Sequence, residues 1–185
     1  MATGSAVLSR LIPWTTAAAE ADWDTVYAEQ LPQVYNFFRY RVGDGPDAED
    51  LTSTTFEKAW SARGRYRRDL ASFKTWLFAI ARNVANDYFR SAKQHVPLEE
   101  AEMLAGADSP EQDATLRSDC ERLLRLLEPL PERERELLSL KYGAGLTNRA
   151  IARVTGLSES NVGTILHRTI ADLRVRWDGK ETSDG

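Results

Sequence analysis

The sequence predicts an all-α protein of two small helical domains joined by an acidic flexible linker, with a helix-turn-helix in the second domain. Apolar residues recur at steps of three and four in nearly every segment, as they do on amphipathic helices. No segment keeps the strict alternation that is typical of a half-buried strand. The middle of the chain combines acidic residues with Gly and Pro and has only a weak period, which is typical of a linker.

The composition excludes several classes of protein. The chain has 185 residues, of which 42% are hydrophobic and 28% are charged, as in an ordinary globular protein. Its one cysteine, Cys120, excludes an internal disulfide framework and a zinc site built on several cysteines. We expect no metal and no cofactor. The sequence has no apolar run of about 20 residues and no visible signal peptide, so we expect no membrane insertion and a cytoplasmic location.

The charge is unevenly distributed, although its total is only −4. Residues 96–128 contain three basic and nine acidic residues, whereas residues 129–177 contain eight basic and five acidic ones. An acidic total therefore does not exclude a nucleic-acid partner, because the basic excess lies in its own segment. The changes of composition predict five segments: a flexible extension 1–19, a helical domain 20–95, an acidic linker 96–113, a helix-turn-helix domain 114–177 and a flexible tail 178–185. An acidic loop that only tethers the domains is the alternative to a linker with a role of its own.

Three helices are predicted in the first domain. An apolar stripe over residues 23–42 predicts the first helix. Asp47 is a suitable N-cap for a second helix that extends to about Ala62. Ser72 is a suitable N-cap for a long third helix that extends to about Ser91.

Two more helices are predicted between the linker and the helix-turn-helix. Ser109 and Pro110 suit the start of a helix that runs through Leu127 and buries Cys120 among its leucines. Pro129 and Pro131 end that helix. The next one covers residues 132–142, and four of its side chains are expected to complete the core of the second domain: Leu137, Leu138, Leu140 and Tyr142.

Residues 146–173 predict a helix-turn-helix. Thr147 is a suitable cap for a short helix, and Gly156 gives the turn the backbone freedom that it needs. Ser158 is a suitable cap for a long helix that ends near Trp177. The start of the second helix in this motif reaches base edges in a major groove, which selects residues 158–161. A helical hairpin without a DNA role is the alternative, but the basic charge and the polar run favour DNA.

A basic loop precedes the third helix and combines cations with aromatic rings. Five side chains of this segment can neutralise phosphates: Arg63, Arg65, Arg67, Arg68 and Lys74. Four rings offer faces on which unstacked bases can stack: Tyr66, Phe73, Trp76 and Phe78. The alternative is that most of these rings, Trp76 in particular, belong to the core. Further along the helix, five polar side chains can share one face: Arg82, Asn83, Asn86, Asp87 and Arg90. This combination is what the capture of single-stranded DNA requires.

The helix over residues 47–60 is acidic and aromatic. It has two interpretations, a solvated face with acids at the favourable end of the helix dipole, or a binding surface for another protein.

Four motifs occur in one order along the chain: residues 47–60, residues 73–90, residues 130–140 and the helix-turn-helix. Together they resemble the extracytoplasmic-function (ECF) group of bacterial RNA polymerase sigma factors. The resemblance covers residues 23–176, and four motifs in order are far more specific than any one of them. It implies a non-enzymatic protein that binds core RNA polymerase and directs it to promoters, with no catalytic residues.

The resemblance also implies binding sites. The second helix matches the segment that docks on the clamp helices of the polymerase: Asp47, Glu49, Asp50, Leu51, Thr54, Phe56 and Trp60. The basic loop and the following helix match the part that recognises and melts the minus-ten element: Arg63, Arg65, Tyr66, Arg67, Arg68, Lys74, Asn83, Asn86, Asp87 and Arg90. The helix-turn-helix matches the part that reads the minus-thirty-five element: Thr147, Arg149, Ser158, Glu159, Ser160, Asn161, Thr164, His167 and Arg168. The polymerase flap and an anti-sigma factor are further implied partners.

The sequence departs from this group at one place. Many members carry Lys or Arg just after the valine that matches Val162, whereas this chain has Gly163, Thr164 and Ile165.

Two other classes of function remain as alternatives. An autonomous DNA-binding regulator would need a dimer interface and a sensor domain, and residues 20–95 resemble neither. An enzyme has little support, because His95 and His167 lie in different segments and no nucleophile is paired with a base.

Overall fold

The computed structural model describes residues 23–95 and 112–181, and all the regular elements in these two ranges are helical. The all-α prediction is therefore confirmed. Three parts of the prediction lie outside the described ranges: the acidic residues 96–111, the cap at Ser109 and Pro110, and the N-terminal residues 1–22.

The helices are α1 Trp23–Val42, α2 Pro46–Ala62, α3 Phe73–His95, α4 Gln112–Leu127, α5 Glu132–Leu138, α6 Asn148–Thr155 and α7 Glu159–Glu181. A 3-10 turn at Arg63–Arg65 follows α2, and a π turn at Ser139–Gly143 follows α5.

The predicted caps of α3, α6 and α7 are confirmed. The hydroxyls of Ser72, Thr147 and Ser158 each accept a hydrogen bond of 3.2 Å from the backbone N–H three residues further on. Gly156 ends α6 in the left-handed conformation with φ 77°, which a residue with a side chain rarely adopts. Because these signals are local, sequence alone locates the starts of these helices. The end of α7 differs, since the helix continues to Glu181, beyond the predicted end at Trp177.

The start of α2 differs from the prediction. The helix begins at Pro46, and its N-cap is Gly45, which has a φ of 141° and no side chain for capping. Pro is well suited to the first position of a helix, because it has no N–H to satisfy there and its φ is already helical. Asp47 therefore lies inside the helix, where its carboxylate accepts a hydrogen bond of 2.6 Å from the hydroxyl of Tyr88 on α3.

The helix predicted over residues 132–142 changes its winding at Ser139. Leu137, Leu138 and Leu140 are buried as predicted, but Tyr142 is 54% exposed, so its prediction as a core residue is wrong. The π turn brings Gly143 against the backbone of α1, where an added Cβ would lie 2.9 Å from the carbonyl oxygen of Asn36. Gly143 therefore occupies the position against α1, and the preceding Tyr142 of the same π turn lies on the exposed side.

Cys120 is also placed differently. It is exposed, whereas its position among leucines predicts a buried thiol. Burial increases along α4, from the exposed Cys120 to Leu127, which is only 2% exposed. Among residues 118–127 of α4, those that reach the core lie in the C-terminal turns.

The helices form two units with one continuous core. In the N-terminal unit (residues 23–95), α1, α2 and α3 enclose a cluster of aromatic and aliphatic side chains that includes Phe37, Phe38 and Phe78. In the C-terminal unit (residues 112–181), α5, α6 and α7 pack around Leu137, Ile151 and Val162. The two units also pack on one another, since α1 contacts α5 and the π turn while α3 contacts α6.

The junction between the two units contains buried charges. Arg82 of α3 donates to Glu136 of α5 over 2.7 Å and to the carbonyl of Val154 over 3.4 Å. Arg41 of α1 is fully buried and donates to the carbonyl of Glu132 over 3.3 Å. Burial lowers the pKa of Arg41, and the carboxylates of Glu136 and Glu132 oppose that shift. These ion pairs fix how the N-terminal unit sits on the C-terminal unit, which apolar packing alone would not specify.

Candidate nucleic-acid interface

The helix-turn-helix presents its predicted residues to solvent. Ile151 of α6 and Val162 of α7 are fully buried, and Leu166 is 4% exposed, so these two helices pack through one face. The nine residues predicted to read the minus-thirty-five element are all exposed on the described surface: Thr147, Arg149, Ser158, Glu159, Ser160, Asn161, Thr164, His167 and Arg168. A rigid helix pair with an exposed polar N-terminal turn has the geometry that major-groove binding requires.

The two arginines of α6, Arg149 and Arg153, are held by different contacts. Arg149 lies 3.6 Å from Glu159, and both side chains are well exposed, so the pair is weak and Arg149 can turn to a phosphate. Arg153 donates over 2.9 Å to the carbonyl of Leu70 in the basic loop. The sequence gives no signal for this contact, because it joins residues 83 positions apart.

Gly163 lies in the first turns of α7. An added Cβ at this position would lie 3.5 Å from Nδ2 of Asn148, an ordinary van der Waals distance. Nothing in the structure explains the choice of glycine here.

The basic loop is held by its own hydrogen bonds. The guanidinium carbon of Arg63 lies 3.9 Å from the ring centre of Trp60, and NH1 of Arg63 donates to the carbonyl of Trp60 over 2.8 Å. Arg67 makes two hydrogen bonds to Asp69, of 3.1 and 2.8 Å, which lower the pKa of the Asp69 carboxyl. Arg65 and Arg68 are exposed. The loop therefore presents cations from an ordered backbone.

The aromatic rings near this loop are mainly structural. Phe78 is fully buried and cannot stack on a base. Phe73 and Trp76 are partly buried and pack against Tyr66, with ring centres 5.5 and 5.3 Å from that of Tyr66. Tyr66 itself is half-buried, and its hydroxyl donates to the carbonyl of Ala71 over 3.3 Å. The core interpretation of Trp76 thus fits the structure better than a stacking role.

The polar face of α3 contains four of the five residues predicted for it. Asn83, Asp87 and Arg90 are exposed and Asn86 is half-buried, but Arg82 turns into the junction. The prediction that Arg82 belongs to this exposed face is wrong, because its guanidinium binds Glu136 and the carbonyl of Val154 in the junction. The carboxylate of Asp87 accepts a hydrogen bond of 2.6 Å from Arg90 and lies 3.5 Å from Lys58 of α2.

The second helix presents acids and one large aromatic side chain. Asp47, Glu49 and Asp50 are exposed, and Trp60 is 49% exposed. Leu51 and Phe56 are buried and Thr54 is half-buried, so Leu51 and Phe56 can only support the surface from beneath. The sequence prediction omits two neighbours from α1, since the rings of Trp23 and Tyr27 pack against Trp60 and Phe56 with centres 5.2 and 4.6 Å apart.

The described residues contain neither a metal-binding cluster nor a membrane span. No group of three or more His, Cys, Asp or Glu side chains in residues 23–95 and 112–181 is arranged to hold a metal ion. No helix in these ranges is long and apolar enough to cross a membrane.

Comparison with known families gives two matches. The model of Sigma-70 region 2 matches residues 26–95, and the model of Sigma-70, region 4 matches residues 120–173. These matches occur in the same order as the two units of the structure.

Three relatives are ECF RNA polymerase sigma factors. The chain is 32% identical to BldN of Streptomyces coelicolor, over 84% of this chain and 61% of BldN, so it spans about three fifths of that protein. It is 29% identical to SigM of Bacillus subtilis, over 84% of this chain and 94% of SigM. It is 34% identical to ShbA of Streptomyces griseus, over 69% of this chain and 70% of ShbA.

Two solved structures share the fold. CnrH, in complex with the cytosolic domain of CnrY, superposes with a TM-score of 0.61 at 23% identity, over 88% of this chain and 93% of CnrH. RpoE of Bartonella quintana, in complex with the anti-sigma factor NepR, superposes with a TM-score of 0.67 at 21% identity, over 83% of this chain and 94% of RpoE. The family matches, the relatives and this shared fold agree, and the chain belongs to the ECF group of sigma factors, which direct promoter-specific transcription initiation by RNA polymerase.

Proposed function

We propose that the two units divide promoter recognition between them. The N-terminal unit binds core RNA polymerase and melts the minus-ten element, and the C-terminal unit reads the minus-thirty-five element as duplex. The exposure of all nine candidate residues on the described helix-turn-helix carries this proposal. The protein acts without enzymatic activity, in the cytoplasm, where promoter and polymerase meet. The predicted domains 20–95 and 114–177, with the linker 96–113, are part of the same proposal.

The polymerase surface lies on α2. Asp47, Glu49 and Asp50 supply negative charge and Trp60 supplies an apolar anchor, a combination that suits a helical partner with basic and apolar residues. Leu51, Thr54 and Phe56 act from beneath as supports. The clamp helices of the polymerase are the proposed partner of this surface, and the flap is the proposed partner of the C-terminal unit.

The minus-ten surface combines the basic loop with the face of α3. Arg65, Arg67 and Arg68 are exposed and can neutralise the phosphates of a displaced strand. Asn83, Asp87 and Arg90 offer amide, carboxylate and guanidinium groups to the edges of unstacked bases. Arg63, Lys74 and Asn86 lie partly buried at its borders, with Tyr66.

The minus-thirty-five surface lies on the first turns of α7. Ser158, Ser160 and Asn161 are nearest to the end that enters the groove, and Asn161 can make two hydrogen bonds to an adenine. Arg149, His167 and Arg168 can contact phosphates on either side. Thr147, Glu159 and Thr164 complete the surface.

Binding of both promoter elements requires the units to separate. The junction brings Lys74 of the minus-ten surface within 3.4 Å of the carbonyl of Gly145 beside the helix-turn-helix. The two DNA surfaces therefore meet in the packed arrangement, and core polymerase has to draw them apart.

An anti-sigma factor is the proposed regulator. CnrH and RpoE of Bartonella quintana were solved with CnrY and NepR bound, respectively. Such a partner would compete with polymerase for the exposed rings of Tyr27 and Trp60, which are 44% and 49% exposed.

Run-off transcription with bacterial core polymerase and a library of promoter fragments tests the proposed function. We expect transcripts from a small set of promoters only when this protein is added. The lack of any promoter-specific transcript would overturn the proposal. A mobility-shift assay separates it from an autonomous regulator, because the sigma role predicts weak binding of duplex promoter without core polymerase, whereas a regulator binds tightly alone.

A further inference from the structure

A cleft of about 290 Å³ lies between the two units, where the basic loop enters α3 and where α6 begins. Three of its lining side chains are cationic, and three carry hydroxyls: Lys74, Arg149, Arg153, Ser72, Thr75 and Thr147. None of the described residues that line the cleft is acidic. The cleft is therefore positively charged and rich in hydrogen-bond donors, which is the chemistry that binds phosphate groups.

Lys74 lies in this cleft with little compensation for its charge. Burial lowers the pKa of its ammonium group. Its Nζ donates to the carbonyl of Gly145 over 3.4 Å, which is long for a hydrogen bond. An added Cβ at Gly145 would lie 3.3 Å from the same atom, so the two units approach closely at this point. An anion in the cleft would restore the interactions that the ammonium group loses on burial.

Arg149 and Arg153 each keep N–H donors that their present contacts do not use. Arg153 uses NH1 on the carbonyl of Leu70, and Arg149 forms only a loose exposed pair with Glu159. A guanidinium has five N–H donors, so each arginine can bind phosphate oxygens without giving up these contacts. The first turns of α3 and α6 begin beside Ser72 and Thr147, and the positive ends of both helices add to the potential.

We propose that this cleft binds a small polyphosphate anion of the pyrophosphate class, and that the anion stabilises the packed arrangement of the two units. The lining residues come from both units, so separation of the units takes the site apart. A ligand that binds only one arrangement must shift the equilibrium toward it. The volume lies at the small end of the range for ligand pockets, which fits a compact anion.

The anion and promoter DNA would compete. Lys74, Thr147 and Arg149 line the cleft and also belong to the proposed DNA surfaces. This consequence rests on the proposed function, whereas binding of the anion does not. Pyrophosphate would thus lower the occupancy of promoter DNA beyond the general effect of salt.

Titration calorimetry of the full chain with sodium pyrophosphate, at constant ionic strength, tests the site. We expect one saturable site in the parent protein. Lys74→Gln and Arg153→Gln should each weaken binding about tenfold, because each removes a charge-assisted hydrogen bond. Arg176→Gln is the matched control, since it removes one exposed positive charge of α7 outside the cleft, and it should keep the parent affinity. Sulfate at the same ionic strength should bind more weakly.

Thermal unfolding with and without pyrophosphate distinguishes a loss of binding from a failure to fold. Pyrophosphate should raise the Tm of the parent chain and of Lys74→Arg, which keeps the charge, but not of Lys74→Gln. No saturable binding to the parent chain would overturn the site, and so would equal losses in Lys74→Gln and Arg176→Gln. A chain that binds pyrophosphate but supports no promoter-specific transcript would refute the proposed function and leave the site standing, and the reverse result would refute only the site.

Discussion

Nε of Arg82 on α3 lies 2.7 Å from Oε1 of Glu136 on α5, and this ion pair joins the N-terminal unit to the C-terminal unit. The Glu136 side chain is only 7% exposed, and that of Arg82 is 24% exposed. Removal of one partner from such a pair leaves the other charge buried without compensation. Burial lowers the pKa of Arg41, and the carboxylate of Glu136 opposes that shift, so one carboxylate supports two arginines across the junction.

We expect Glu136→Gln to lower the free energy of unfolding by about 2–3 kcal/mol, because Arg82 and Arg41 both lose a negative neighbour. Urea denaturation of the full chain measures the effect. Glu128→Gln is the matched control, since Glu128 is an exposed acid directly after α4 and its replacement should cost less than about 0.5 kcal/mol. Equal losses in the two variants would show that the ion pair contributes nothing specific.

The sequence predicts those features that depend on neighbouring residues. Ser72, Thr147 and Ser158 act as caps through bonds that span three residues, and Gly156 needs only its own backbone conformation. These features locate the helix-turn-helix and the long helix that follows the basic loop. The residues of the three candidate surfaces follow from the same motifs.

The junction could not be predicted in this way. The pairing of Arg82 with Glu136 joins positions 54 apart, and the contact of Arg153 with Leu70 joins positions 83 apart. The π turn that contains Tyr142 packs on α1 through Gly143, and this contact is with residues more than 100 positions away. Periodicity in one helix contains no information about which face a distant helix covers.

Melting of the minus-ten element should depend on the exposed basic loop. We expect the double replacement Arg67→Ala and Arg68→Ala to reduce open-complex formation about tenfold or more on duplex promoters, because two phosphate contacts to the displaced strand are lost. Potassium permanganate reactivity of unpaired thymines measures the opening. A template that is already unpaired over the minus-ten element should restore most of the activity. If binding to core polymerase falls by the same factor, the defect lies in folding instead.

Asn161 and Arg168 of α7 should contribute differently to binding of the minus-thirty-five element. Asn161→Ala should cost about 1–3 kcal/mol on the preferred sequence and less on others, since a base contact carries the specificity. Arg168→Ala should weaken all sequences alike and lower the slope of log K against log salt by about 1. Affinities of holoenzyme for a panel of promoter variants, at several salt concentrations, separate these effects. The same sequence profile for both variants would argue against a base contact by Asn161.

Stability should fall at high pH because of Tyr88. Burial and the hydrogen bond to Asp47 raise the pKa of Tyr88 to about 12, above the value of about 10 expected in the unfolded chain. The neutral phenol is therefore favoured in the folded state, so this stabilisation is fully present below pH 10 and is lost as the pH rises toward 12. Tyr88→Phe or Asp47→Asn should flatten the dependence of the urea midpoint on pH above 10. Some slope should persist, because the pKa of Tyr35 is also raised to about 12. An unchanged slope in both variants would contradict the assignment.

Two glycine replacements should have opposite effects on stability. At Gly143 an added Cβ would lie 2.9 Å from the carbonyl oxygen of Asn36 and 2.9 Å from Cα of Phe37, and both are backbone atoms that cannot move independently. Gly143→Ala should therefore force α1 away from the π turn and cost about 1–3 kcal/mol, as overpacking does. At Gly163 the nearest atom would be 3.5 Å away, so Gly163→Ala should stabilise α7 by up to about 1 kcal/mol through its higher helix propensity. Thermal unfolding of the two variants beside the parent chain measures both changes. A Gly143→Ala chain as stable as the parent would show that α1 and the π turn do not pack as tightly as the backbone contact requires.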